Sequence, residues 1–449
     1  MMKRIGAFFS FAVIAGALAA CGTTAPTSPS AAATAVTGAV TEVTGAATAV
    51  APTVAAVATA VAPAAGGETI RIVSSLPRQG ASKGQTDAVV NAIKMRLEED
   101  KYMACDGKFT IDYQDLDDAT AAAGKWDAAT ETANATKAVG DADVMVYIGT
   151  FNSGAAKLSI PILNQANLVM ISPANTYTGL TKPGLGEAGE PDKYYPNGKR
   201  NYTRVVTADD VQGGAAARWA QKLGTTKVYI LDDQETYGKG VADVFEKTAK
   251  EIGLTVLGRD GIDGKAQNYT ALMTKIAATS PDMVYFGGIV DNNAGQLIKD
   301  MRAAGMAADK VKFLGPDGIQ TPSFIEAAGA DVAEGVYGTV AGLPNDKLGE
   351  KGKAFYTSYK TKYGLEAESY GIFGYDAAGA ALAGINKACK KDRAAILDAV
   401  FTIKDFEGAL GKWSLDANGD TTLADVRGFV VKGGAWTEIN LFTNGAWEK

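Results

Sequence analysis

Tyr147–Lys157 reads YIGTFNSGAAK. The apolar run Val144–Ile148 leading into it predicts a buried strand that stops at Gly149. Thr150, Asn152, Ser153 and Gly154 follow, and then an alanine-rich segment that reads as a helix. Small hydroxyl and amide residues at a strand-to-helix handover admit two readings. They cap the helix by accepting from its free first-turn N–H groups, or those N–H groups and hydroxyls hold an anion. Taken alone, these residues favour the cap.

Working outward, the same handover recurs. TIRIVSSL reads as a strand, GQTDAVVNAIKMRLEED as a helix, KFTIDYQDL as a strand, WDAATETANATKAVG as a helix, and LVMISP as another strand. Such alternation predicts parallel βαβ units. It pauses at Thr181–Tyr202, where Pro, Gly and charged residues predict a loop. That loop holds a formal GxGxxG, Gly184–Gly189, but Pro183 precedes it and Pro191 follows it. The strand and helix that dinucleotide binding requires are missing there. A second series then begins: TKVYILDD, GVADVFEKTAKEIG, LTVLGRDGI, NYTALMTKIAA, DMVYFGG, AGQLIKDMRAAG and KVKFLGP. The chain therefore reads as α/β, with two doubly wound lobes whose ligand sites lie beyond the carboxyl ends of the strands. After GVYGTV come helices in EKGKAFYTSYKTKYG and YDAAGAALAGINKACK, and then a hairpin-like end. Asp416, Asn418 and Asp420 superficially suggest a calcium loop, but Arg427 stands where the closing Glu is needed, so this is a polar turn and no metal is expected.

Composition excludes much chemistry. The 449 residues contain no histidine, which removes Ser-His-Asp triads, His bases and His-ligated zinc. The formal charge is 44 − 50 = −6, without a basic cluster, which speaks against nucleic acid as a partner. Lys3 and Arg4 precede the short apolar run Ile5–Ala17, the layout of a signal peptide over residues 1–20. The junction Leu18-Ala19-Ala20-Cys21-Gly22 resembles a bacterial lipobox, which implies lipidation of Cys21 and attachment to the outer face of a membrane or residence in the periplasm. Residues 21–67 are nearly all Ala, Thr, Val, Pro, Gly and Ser, with Glu42 the one charge, and read as a disordered tether. Cys105 and Cys389 remain; in an exported chain the pair predicts a disulfide, the alternative being two buried thiols.

GTFNSGAAK, LVMISPANTYTGLT, VYILDDQETYGKG, MVYFGG, QLIKDMRAAG and FLGPDGI occur in order and together resemble the leucine/isoleucine/valine-binding proteins of bacterial ABC transporters. The resemblance covers Glu68–Lys449 and implies a type I periplasmic-binding fold: two Rossmann-like lobes joined by three crossovers that close on a small ligand. Laid on this sequence, lobe I is 68–205 with 342–428, and lobe II is 206–341 with 429–449. It implies that Ser153, the backbone of Ala174 and Thr176 bind an amino-acid carboxylate, that Asp317 takes the ammonium where the family usually has Glu, and that Tyr237 and Tyr375 touch the ligand's side chain. Two departures bear on selectivity. Ile289 stands where the family often has Tyr, followed by an extra residue in VDNNAG, and the loop SSLPRQGASKGQ makes Arg78, Gln79 and Lys83 candidates to enter the cleft.

The resemblance implies a receptor that hands an amino acid to an ABC permease and its ATPase, without a cofactor and without catalysis. The alternative keeps the fold with an amide, urea or other small polar solute as ligand. An enzyme reading finds no group placed to activate Ser153.

Overall fold

The computed structural model describes residues 67–448. Cys21, the signal peptide and the tether up to residue 66 lie outside the described residues. Lobe I is built on a six-stranded sheet. In spatial order its strands are Met103–Ala104, Phe109–Asp117, Glu68–Leu76, Val144–Gly149, Val169–Ser172 and Tyr202–Arg204. All neighbours run parallel except the short first strand. Lobe II carries an eight-stranded sheet in the order Thr255–Gly261, Lys227–Asp232, Met283–Gly287, Lys312–Gly315, Val336–Ala341, Val426–Lys432, Ala435–Thr443 and Ala446–Trp447. Its first five strands are parallel and its last three pair antiparallel.

The central strands show why the sheets form. Every residue of Val144–Gly149 and of Met283–Gly287 is buried, as expected where helices cover both faces of a parallel sheet. The helix Gly371–Ala388 packs small residues such as Ala377, Ala378 and Ala381 into the lobe I core. Gly374 brings it within van der Waals range of Val89 on the helix Lys83–Glu99, where a Cβ would lie 2.7 Å from the Val89 carbonyl oxygen.

The chain passes between the lobes after Arg204, after Ala341 and before Val426. The last passage falls earlier than the sequence division after Gly428. Val426–Lys432 is one continuous strand of the lobe II sheet, and Val426 already pairs with Ala341. A helix over Arg393–Val400, capped by Asp392 accepting from the Ala395 N–H at 2.7 Å, was not expected from the sequence. The two cysteines expected to bond, Cys105 and Cys389, stand as thiols in the structure. They sit side by side, and Cys105 is pushed up to about 12 by burial first and then by the neighbouring Cys389 sulfur.

Several carboxyl groups are buried within the lobes. Glu131 accepts from the hydroxyls of Ser75 at 2.5 Å, Tyr147 at 2.7 Å and Ser159. Asp376 accepts from the Ala409 and Leu410 N–H groups and from the Trp413 indole. Burial outweighs these donors and raises Glu131 to about 7 and Asp376 to about 6. Asp118 is raised too, by burial and then by the charge of Glu131. Each group binds its proton more tightly folded than unfolded, where carboxyls titrate near about 4. The fold therefore holds more protons than the unfolded chain between these limits, and stability rises as pH falls through that window. Differential scanning calorimetry of the ligand-free protein should give a Tm a few degrees higher at about pH 5.5 than at about pH 7.5. A Tm lower at about pH 5.5 than at about pH 7.5 would show these carboxyls to be ionised in the fold.

Candidate functional site

On the lobe I side, the strand Val144–Gly149 hands over to the helix Ser153–Gln165. Asn152 is the N-cap residue, yet the helix has no side-chain cap, and the Asn152 Oδ1 is buried without a partner. The capping reading of this handover therefore fails, and the first-turn N–H groups stay open to an anion. The Ser153 hydroxyl is buried and accepts from the Tyr177 N–H at 3.3 Å.

The next strand, Val169–Ser172, ends in the loop that carries Ala174 and Thr176. The Ser172 hydroxyl accepts from the N–H groups of Ala174 at 3.1 Å and Asn175 at 2.8 Å, so the Ala174 N–H is already taken. Asn175 donates to the Phe151 carbonyl at 2.9 Å, tying this loop to the handover. Arg204 holds the loop from beneath. Its guanidinium donates to the carbonyls of Asn175 at 3.1 Å and Tyr177 at 2.9 Å, and to Asp420 at 2.7 Å. Both Arg204 and Asp420 are buried, and Asp420 is held low because the adjacent guanidinium outweighs its burial. The polar turn of Asp416–Asp420 thus supplies a structural counterion.

On the lobe II side, Asp317 follows the strand Lys312–Gly315 and is 3% exposed. It accepts from the Tyr237 hydroxyl at 2.6 Å and from the Gln212 amide. Tyr237 sits on the first turn of the helix Thr236–Glu251, and its hydroxyl also accepts from the Gly318 N–H at 3.3 Å. Burial raises Asp317 to about 6 despite the two donors. Asp209 opens the helix Asp209–Lys222; its N–H donates to the Thr176 carbonyl at 2.9 Å. Its carboxyl is raised by burial first and then by the charge of Asp317, while the facing Thr176 hydroxyl opposes the shift.

The two walls meet. The Tyr177 ring, whose N–H reaches Ser153, packs on Gly240 of lobe II, where any Cβ would lie 2.4 Å from the ring. Gln85 of lobe I donates to the Asp317 carbonyl at 3.4 Å. A narrow gap too small for a water molecule lies beside Asp317, lined by Val206, Val340, Ala341, Ser369, Tyr370 and Phe373. The structure thus brings Ser153, Ala174, Thr176, Tyr237 and Asp317 to one interlobe region.

Tyr375 does not belong to it. The helix starts at Gly371, so Tyr375 lies more than a turn inside it. Its hydroxyl donates to Glu99 at 2.6 Å and its ring packs on Phe355 at 5.3 Å between centroids. The aromatic at the helix start is Tyr370, edge-on to Phe151 at 5.1 Å. Nor do the loop candidates enter. Arg78 pairs with Asp87 and Asp115, Gln79 donates to Asp117, and Lys83 pairs with Asp87. Gln85 enters instead. Ile289 packs against Tyr237 at the lobe II wall. Sequence reasoning missed Gln85, Asp209, Gln212 and Tyr370; the one available signal was the Asp209/Gln212 spacing, which places both on one helix face.

The periplasmic binding protein family profile matches residues 69–435. A Leu/Ile/Val-binding protein, BraC3, of Rhizobium johnstonii is 30% identical over 64% of this chain and 73% of its own length. An amino acid binding protein of Pseudomonas aeruginosa is 27% identical over 65% of this chain and 72% of its own. Among solved structures, a leucine binding protein, LivK, from Thermotoga maritima aligns with a TM-score of 0.73 at 24% identity, covering 84% of this chain and 99% of that one. A Rhodopseudomonas palustris solute binding protein in complex with 4-hydroxybenzoate aligns with a TM-score of 0.70 at 18% identity, covering 84% and 97%. With a profile match across nearly all the described residues and the two-lobed architecture in hand, the chain belongs to the periplasmic binding protein family.

Proposed function

We propose that this protein is the substrate-binding component of an ABC importer and captures a free amino acid between its lobes without transforming it. Relatives named for leucine, isoleucine and valine binding support the transport role. The ligand carboxylate would sit at the uncapped first turn of Ser153–Gln165, with the Ser153 and Thr176 hydroxyls as neutral donors. The ammonium would face Asp317, the Thr176 hydroxyl and the Ala174 carbonyl. The observation that carries the reading is the buried Asp317 carboxyl on the wall opposite the open helix start. It argues against the aromatic acids held by some fold neighbours, which carry no cation to answer the Asp317 charge. Export and attachment through a lipidated Cys21 complete the proposal, with an ABC permease and ATPase as partners. In an oxidising compartment the adjacent Cys105 and Cys389 would close into a disulfide, two electrons and two protons passing to the compartment's oxidant.

Three outcomes are expected. In calorimetric titrations with the bound amino acid, Ser153→Ala should weaken affinity roughly tenfold, and Asp317→Asn by about a hundredfold or more, the range for charge-assisted hydrogen bonds. Unchanged affinity in either variant removes that residue from the site. The pH dependence has a definite sign. Asp317 must be ionised to hold a cation, and it titrates at about 6 without ligand. Affinity should be flat above neutrality and fall by up to about tenfold per pH unit below about pH 6; an affinity that rises on acidification contradicts the assignment. Protein isolated from the exported fraction should resist alkylation at Cys105 and Cys389 until reduced. Labelling of both without reductant would rule out the bond.

A further inference from the structure

We infer that the ligand carries a second cationic nitrogen besides its α-ammonium, as diamino and guanidino acids do, and that Gln85, Asp209 and Gln212 receive it. This rests on the amino-acid reading above. The Asp317 carbonyl takes the Gln85 amide N–H at 3.4 Å, and the Asp317 carboxyl takes that of Gln212. An acceptor on each partner fixes which end of each amide faces it. Both amide oxygens must therefore point elsewhere. Both glutamines are fully buried, and both oxygens lack a donor. The two carboxyl oxygens of Asp209, one helical turn before Gln212 and fully buried, lack one as well. Four acceptor atoms on three side chains near Asp317 thus make no hydrogen bond, although the Thr176 hydroxyl faces those of Asp209.

An α-ammonium does not meet this demand. Its three N–H groups are taken by Asp317, the Thr176 hydroxyl and the Ala174 carbonyl in the proposed pose. The nearby guanidinium of Arg204 is already bound to Asp420 and cannot supply the missing donors. A second ammonium, or a guanidinium with its five donors, can reach these oxygens. A branched aliphatic side chain would leave all four acceptors buried and unpaired, the arrangement by which a polar site rejects an apolar analogue.

The test is a calorimetric panel on the full chain with L-ornithine, L-lysine, L-arginine, L-leucine, L-isoleucine and L-alanine. At least one basic acid should bind tenfold or more tighter than leucine. Asp209→Asn, which keeps the shape of the side chain, should cut the preference for the best basic ligand over alanine at least tenfold; Gln85→Leu should act in the same direction. The wild-type panel stands even if a variant fails to fold. Leucine or isoleucine binding as tightly as every basic acid, or a folded Asp209→Asn with the full preference for the basic ligand, overturns the second-cation inference alone. Absence of binding by every amino acid in the panel overturns the receptor reading itself, and this inference with it.

Discussion

The site depends on one costly arrangement, a carboxylate at Asp317 enclosed by protein and left without a cation. Enclosing a charge costs several kcal/mol even after relaxation. Tyr237 and Gln212 return part of that by donating hydrogen bonds, and both are neutral. Neutral donors make the ionised form tolerable without cancelling its charge, so Asp317 still titrates above an ordinary carboxyl. A lysine or arginine in their place would convert the wall into an internal ion pair with nothing left for a ligand. The nearest guanidinium is kept from that role: Arg204 is committed to Asp420 and to two loop carbonyls.

That commitment also explains the opposite wall. The loop carrying Ala174 and Thr176 is irregular and buried, and its backbone carbonyls need donors that no sheet provides. Arg204 supplies them from the last strand of the lobe I sheet, at the first passage to lobe II. Its own charge is answered by a residue more than two hundred positions later, from the turn that precedes the last passage. A single buried ion pair thus links the chain's first and last passages between lobes to the shape of the anion-facing loop. Breaking one partner would strand the other charge, which is the expensive way to lose a buried pair.

Much of this was legible in the sequence because parallel strands buried on both faces leave an unmistakable signal. Val144–Gly149 and Met283–Gly287 read as strands from composition alone, and the structure buries every residue in them. The start of the helix Gly371–Ala388 was not legible. Its first turn is Gly-Ile-Phe-Gly, poor in helix formers, and it is helical because Gly374 allows close approach to Val89. That four-residue shift moved the expected pocket aromatic from Tyr370 to Tyr375. Gln85 and Gln212 were invisible for a different reason. A glutamine in a helical pattern reads as surface, and only the tertiary meeting of two helices with Asp317 turns it into a cleft residue. The Cys105/Cys389 pairing was legible as proximity.

Two sets of contacts oppose each other across the cleft, and their sizes are similar. Around the rim, Asp291 accepts from the N–H groups of Ala81 and Ser82 at the start of the helix Lys83–Glu99. Lys125 reaches Glu235 and Asn292, Ser323 reaches the Ala81 carbonyl, and Ser369 reaches Gln320. Partly exposed polar ties of this kind contribute about 0.5–1.5 kcal/mol each, and the exposed ion pairs less. Together they favour lobe contact by several kcal/mol. Inside, the oxygens of Gln85, Gln212 and Asp209 are buried and make no hydrogen bond. Each such atom costs about 1–3 kcal/mol, and a charged one more. The interior penalty is thus of the same order as the rim's gain. An interface balanced in this way responds to whatever supplies the missing donors, because a ligand shifts an equilibrium only by its differential affinity for the two states. The rim provides a closure that is independent of ligand chemistry, and the orphaned acceptors make that closure conditional on it.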